Sequence, residues 1–228
     1  MTRLGFMRTT RRILDSVKEA ESMGFEVMAA PYATITKADD REYAKIADAA
    51  AAGKPVSFLT STAVEMCLDH FKKDLAPMLS GCRVYASGSA TECLRRNGIE
   101  AEVGEDGVLI GEEGGMPEGA AEMRAAVYRS AEAGIGSPVL HMMIAVKRGE
   151  LDWLAFTSPA AARSFFRFMD GKYGEDDSRT YLDDHVKIAA MDEPTAAALV
   201  KLGRKPDLVS AEPTFRGLLQ AVKDQESS

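Results

Sequence analysis

The chain has 228 residues, 46% hydrophobic and 28% charged, a globular composition with room for one large core or two small ones. A formal net charge of −7 argues against a general nucleic-acid binder, which would carry a basic face. Three cysteines (Cys67, Cys82 and Cys93) form an odd set without CxxC spacing, which argues against a disulfide framework or a zinc site and for a reducing, cytoplasmic setting.

The start of the chain lacks the apolar core of a signal peptide and turns basic at Arg8, Arg11 and Arg12. Leu4 to Met7 reads as a strand, and Thr9 or Thr10 is placed to cap a helix from Arg11 to Met23, where Ile13, Leu14, Val17 and Ala20 keep helical spacing. Gly24 stops that helix, and Phe25 to Ala30 forms the next strand, ended by Pro31. A β-α-β opening implies a parallel sheet. Next come a helix over Asp40 to Ala52, a buried strand over Pro55 to Leu59, the polar turn Thr60-Ser61-Thr62 and a helix to Phe71. Arg83 to Ala86 reads as a strand, Ser87-Gly88-Ser89 as a turn, and Ala90 to Asn97 as a helix closed by Gly98. Val108 to Ile110 reads as a strand and Gly111 to Gly119 as a loop without a phosphate-binding fingerprint. A helix through Ala133 and a long strand over Val139 to Val146 are expected to follow. Charges at Lys147, Arg148, Glu150 and Asp152 keep that apolar stretch from spanning a membrane.

The last third repeats the scheme. Trp153 to Phe156 is a strand, Thr157-Ser158-Pro159 a turn, Ala160 to Met169 a helix and Gly171 to Thr180 a surface loop. Val186 to Ala190, the turn Asp192-Glu193-Pro194 and a helix from Thr195 to Leu202 come next, then a strand over Leu208 to Ser210 and a helix over Pro213 to Lys223. Phe58-Leu59-Thr60-Ser61-Thr62-Ala63 parallels Ala155-Phe156-Thr157-Ser158-Pro159-Ala160. This internal repeat predicts an α/β fold with two doubly wound parallel sheets and one ligand held in the cleft between them.

Ligands of such sheets bind beyond the carboxyl ends of the strands, where loops lead into helix N-termini with unpaired N–H groups and partial positive charge. Thr60, Ser61, Thr62, Ser87, Ser89, Thr157 and Ser158 fall at such places and suit carboxylates, although helix capping alone also favours Ser and Thr there. His70 and His185 have no partners at ligand spacing, so no metal is expected.

Phe156-Thr157-Ser158-Pro159-Ala160, then Pro194-Thr195-Ala196-Ala197-Ala198-Leu199 with Gly203, and Pro206 to Thr214 with Gly217-Leu218, resemble the uroporphyrinogen-III synthase family. Upstream, Arg8, Gly24-Phe25-Glu26-Val27, Pro31, Thr60-Ser61-Thr62-Ala63-Val64, and Gly88 with Thr91 match the same family in order and spacing. The resemblance implies two lobes, one from residues 1–32 with 144–228 and the other from 35–139, joined by tether strands at about 30–35 and 139–145. It implies a cofactor-free enzyme acting on an anionic linear tetrapyrrole, hydroxymethylbilane; a monomer is expected. That substrate is cyclised with loss of water and inversion of ring D, with no role for nucleic acid or membrane. By the same resemblance Arg8, Thr60, Ser61, Thr62, Ser87, Gly88, Ser89, Thr91, Thr157, Ser158 and Thr195 would hold substrate.

Helix N-termini would then take up carboxylates that the overall −7 charge disfavours. The family often carries a tyrosine on the second tether strand as candidate acid. Here the place falls to His141, or to Met142 in a register one residue on, and a histidine can donate near neutral pH. Asp192 stands where the family usually has a glycine. These two departures keep open a second reading, a non-catalytic homologue that binds a tetrapyrrole or another anionic small molecule. An unrelated nucleotide-binding α/β protein is disfavoured by the missing phosphate loop.

Overall fold

The computed structural model describes residues 1–117 and 123–227. It opens with β1 (Arg3–Thr9), α1 (Ile13–Ser22), β2 (Glu26–Lys37), α2 (Asp40–Ala51), β3 (Val56–Phe58), α3 (Ser61–Phe71) and the short α4 (Leu75–Leu79). Then follow β4 (Val84–Ala86), α5 (Ser89–Arg96), β5 (Glu102–Val103), β6 (Val108–Glu112), β7 (Arg124–Glu132) and α6 (Ser137–Lys147). The chain ends with β8 (Trp153–Phe156), α7 (Pro159–Tyr173), α8 (Glu175–Asp184), β9 (Lys187–Ala190), α9 (Glu193–Lys201), β10 (Leu208–Val209) and α10 (Phe215–Glu226).

By internal contacts the chain divides into two compact units, Met1–Thr34 with Ala131–Ser228, and Ile35–Ser130. It leaves the first unit within β2 and returns within β7. The first unit orders its strands β10-β9-β8-β1-β2, and every pairing given among them is parallel. Side chains alternate across this sheet as pleating demands. Met7, Leu154 and Phe156 join Val139, Met142, Phe165 and Leu199 on the α6–α9 side, while Leu4, Phe6, Trp153 and Ala155 meet Ala20, Leu218 and Val222 of α1 and α10. The second unit orders its strands β7-β6-β3-β4-β5, also parallel, around Phe58, Ile110, Val64, Leu94 and Val127.

Several expectations are corrected. The segment expected to be helical through Ala133 is strand β7 over its described part; residues 118–122 lie outside the described residues. The expected strand over Val139 to Val146, and with it a tether strand at 139–145, is helix α6. Its buried Val139, Met142, Met143 and Val146 follow the i, i+3, i+4, i+7 pattern of one helical face, and Pro138 occupies the first turn, where its missing N–H costs nothing. Thr9 and Thr10 do not cap α1, whose N-cap is Arg12 without a side-chain bond. The expected loop at Gly171 to Thr180 is mostly helical, α7 and α8 meeting at Gly174 with φ +85°.

One tight contact supports the second unit. Gly107 has φ +70°, and a Cβ there would lie 1.9 Å from the carbonyl oxygen of Pro55, just before β3. Gly107→Ala is therefore expected to destabilise the protein by on the order of 2 kcal/mol or more. A urea or thermal melt beside the unaltered chain checks this, and an unchanged midpoint would refute it.

Candidate active site

Within each unit the parallel register decides which loops are neighbours. In the first, Met7 pairs with Phe156, Phe156 with Ala190, and Ala190 with Val209, so β8, β9 and β10 end level while β1 runs on to Thr9. Arg8, Thr157-Ser158 and Asp192 therefore emerge along one edge. In the second, Phe58 pairs with Ala86 and Ile110, which sets Thr60-Ser61-Thr62 beside Ser87-Gly88-Ser89 and Gly111.

The helix N-termini at these edges are closed in different ways. Ser158 caps α7, its Oγ accepting the Ala161 N–H at 3.2 Å, and lies 3.5 Å from the Tyr32 hydroxyl. Thr157 is buried and donates its hydroxyl to the Met7 carbonyl at 3.4 Å, so it braces strand against strand. The Arg8 Nε donates to Ser16 Oγ at 3.1 Å, and the guanidinium lies 5.0 Å from the Phe215 ring centroid. Asp192 caps α9, its Oδ1 accepting both the Thr195 N–H at 2.9 Å and the Thr195 hydroxyl at 2.5 Å. Thr195 is fully buried, so its expected contact with a substrate has no hydroxyl to offer: the carboxylate of Asp192 already occupies the place an anion would take.

In the second unit α5 begins at Gly88, with φ +53° and no side-chain cap, between the exposed Ser87 and Ser89, and Thr91 lies in its first turn. Thr60 caps α3, its Oγ1 accepting the Ala63 N–H at 3.1 Å, while Ser61 and Thr62 are half-buried in the first turn. The same Thr60 oxygen lies 3.1 Å from the hydroxyl of Tyr128 on β7.

His141 is exposed on helix α6, not on a strand that returns between units. The strand on which the chain returns is β7, and it carries Tyr128. Reading β7 as helix hid this residue, although the run Ala125-Ala126-Val127-Tyr128 has strand character and Pro138 marked the following segment as a helix start. A groove of about 270 Å³ between α7 and α9 also escaped sequence reading; Pro159, Pro194, Ala197 and Leu202 line it with the exposed cations Arg163 and Lys201. Its two flanking helices are remote in sequence, so no local motif announces it. Among the described residues no group of three or more His, Cys, Asp or Glu is arranged to hold a metal ion.

Capping by Asp192 predicts a structural cost for its loss. Asp192→Ala is expected to destabilise the chain by about 1 kcal/mol, as removal of an N-cap does. A denaturant melt with no loss of stability would show that the carboxylate is not the helix's cap in solution.

The family model for "Uroporphyrinogen-III synthase HemD" matches residues 115–220. A curated uroporphyrinogen-III synthase from Chlorobaculum parvum is 41% identical over 61 residues, a stretch that covers 27% of this chain and 22% of that relative's length. The fold is similar to a crystal structure of a mutant uroporphyrinogen III synthase from Thermus thermophilus, at TM-score 0.65 and 24% identity, covering 100% of this chain and 99% of the other. It is also similar to a uroporphyrinogen-III synthetase structure from Helicobacter pylori, at TM-score 0.52 and 13% identity, covering 99% and 100%. At these identities the structural likeness bears on the fold, while the family model and the curated relative carry the sequence relation. Over residues 115–220 the chain is similar in sequence to the uroporphyrinogen-III synthase family.

Proposed function

We propose that this chain is a uroporphyrinogen-III synthase, which closes hydroxymethylbilane into a macrocycle with loss of water and inversion of ring D. The observation that carries the reading is Tyr128, whose hydroxyl is set against the N-cap Thr60 at an edge rich in hydroxyl-bearing turns. A phenol with an ordinary value near 10 holds its proton at neutral pH and can pass it to a departing hydroxyl. The C–O bond of the hydroxymethyl group breaks, the pyrrole nitrogen supplies the electron pair, and water leaves with the proton from Tyr128. The ring D α carbon that already bears the bridge to ring C attacks the exocyclic methylene carbon and becomes a spiro centre. Its bond to the old bridge carbon then breaks, the ring C nitrogen supplying the electron pair, and the free α carbon of ring D attacks that bridge carbon. Two C–C bonds form and one breaks, ring D is inverted, and the proton lost from the last-attacking carbon balances the one given.

Substrate carboxylates are held, in this reading, by Ser61, Thr62, Ser87, the N–H groups at Gly88 and Ser89, Thr91, Ser158 and Arg8. The α5 terminus, lacking a side-chain cap, supports this for the second unit. The α7–α9 groove suits a pyrrole ring, with apolar walls for the ring and Arg163 and Lys201 for its acidic side chains. Thr157 and Thr195, buried and hydrogen-bonded to protein, are not part of the grip. Among the described residues no helix is long and apolar enough to cross a membrane, and the enzyme is proposed to act as a cytoplasmic monomer. The binding-only reading rested on a missing tyrosine and on Asp192. Tyr128 lies on the returning strand and Asp192 caps α9, so neither favours it.

The test is turnover of freshly made hydroxymethylbilane with the type III product resolved from the spontaneous type I isomer. The chain is expected to form type III, and only type I at the uncatalysed rate would overturn the reading. Tyr128→Phe is expected to lower kcat about a hundredfold, the usual contribution of a general acid. His141→Phe should leave both rate and pH profile unchanged.

A further inference from the structure

Thr60 stands in the Thr-Ser turn that the family resemblance assigns to substrate. Its geometry points elsewhere. We infer that Thr60 is a positioning residue: it holds the Tyr128 hydroxyl and becomes its hydrogen-bond donor when the phenol gives up its proton. This rests on Tyr128 being the proton donor proposed above.

The Thr60 hydroxyl has one proton to give and two lone pairs. The Ala63 N–H, which can only donate, takes one lone pair at 3.1 Å. Toward Tyr128, 3.1 Å away, the Thr60 oxygen can accept while the phenol is neutral, but after proton transfer it must donate. The bond therefore changes from neutral to charge-assisted as the reaction proceeds, and so is stronger after the step than before it. The Ala63 N–H polarises the Thr60 hydroxyl in the same direction, and the α3 N-terminus adds a partial positive charge there. The first turn of α3 contains no carboxylate to cancel it.

A distortion in the strand brings Tyr128 to this place. Gly111 pairs with Ala126 but Glu112 pairs with Tyr128, so Val127 is an extra residue on β7. Plain alternation would turn Val127 and Tyr128 to opposite faces, yet both are buried in the same core cluster. Tyr128 is only 4% exposed, which keeps bulk water from replacing Thr60 as its partner. Of the charged residues near it in register, Glu112 on β6 accepts hydrogen bonds from the N–H and hydroxyl of Ser130, and Arg129 pairs with Glu113.

The experiment is a double-mutant cycle on the full chain, read as kcat and KM for type III formation, with Tyr128 ionisation followed by ultraviolet titration. Thr60→Val is expected to lower kcat about tenfold with KM unchanged, reflecting loss of a charge-assisted bond. Thr60→Ser should restore most of that rate. In the Tyr128→Phe background, Thr60→Val should have no further effect on kcat. The phenol ionisation that disappears in Tyr128→Phe should move to higher pH in Thr60→Val, a readout that needs no turnover. A raised KM with unchanged kcat would make Thr60 a substrate contact, and additive losses in the cycle would make it a helix cap only; either result overturns the inference. An unmoved Tyr128 ionisation overturns it too, whatever the activity. A wild-type kcat in Tyr128→Phe sinks both this inference and the proton-donor reading, whereas a loss there with unchanged Thr60→Val sinks this inference alone.

Discussion

The rest of the molecule depends on strands that run parallel and in matched register. In a parallel ladder every helix that follows a strand starts at the same edge, and each start presents N–H groups without partners inside the helix. The pairings of Met7, Phe156 and Ala190 in one unit, and of Phe58, Ala86 and Ile110 in the other, align those starts within each sheet. A chain of net charge −7 thereby acquires local anion-favouring places that its composition hides. What distinguishes one edge position from another is the residue that closes the helix. Hydroxyls close α3 and α7, glycine leaves α5 without a side-chain cap, and at α9 the Asp192 carboxylate fills the place itself.

Much of this was legible in the sequence because the signals were local. Strands such as Trp153–Phe156 are short apolar runs bounded by polar turns, and helices such as α9 end at glycine with the pattern that pairing and capping require. The two Thr-Ser turns announced their own position at strand ends. Errors gathered between Gly119 and Val146, where composition and periodicity pull apart. The α6 sequence Val-Leu-His-Met-Met-Ile-Ala-Val is apolar around most of its circumference, and such a run is ambiguous between a buried strand and a buried helix. In β7 the bulge at Val127 breaks the alternation that would have marked a strand, putting two buried residues in succession.

Those two errors had one functional consequence. Exchanging the types of β7 and α6 moved the returning strand by about a dozen positions in the chain, and with it the candidate proton donor, from the Tyr128 proposed above to His141. The Tyr128 hydroxyl and its partner Thr60 are 68 positions apart, so no short motif could have joined them. The role of Asp192 was hidden for a different reason. Its residue type marks a departure from the family pattern, but only the hydrogen bonds it accepts from Thr195 show that it is the cap of α9.

The way the chain is divided also bears on how it is made. The second unit is one continuous stretch, whereas the first is assembled from residues 1–34 and 131–228. Strand β1 sits between β2 and β8, and its β8 neighbour is more than 140 positions downstream. A ribosome therefore releases Leu4, Phe6 and Met7 long before β8, α7 and α10, which complete their cover, exist. During that interval the inserted unit can close on its own contacts, while β1 stays an unsatisfied edge with a continuous apolar face. The contacts of β1 with β8 carry the long loop-closure cost of distant pairing, so the first unit is expected to complete last. Nascent-chain quality control would meet this protein chiefly through its first strand.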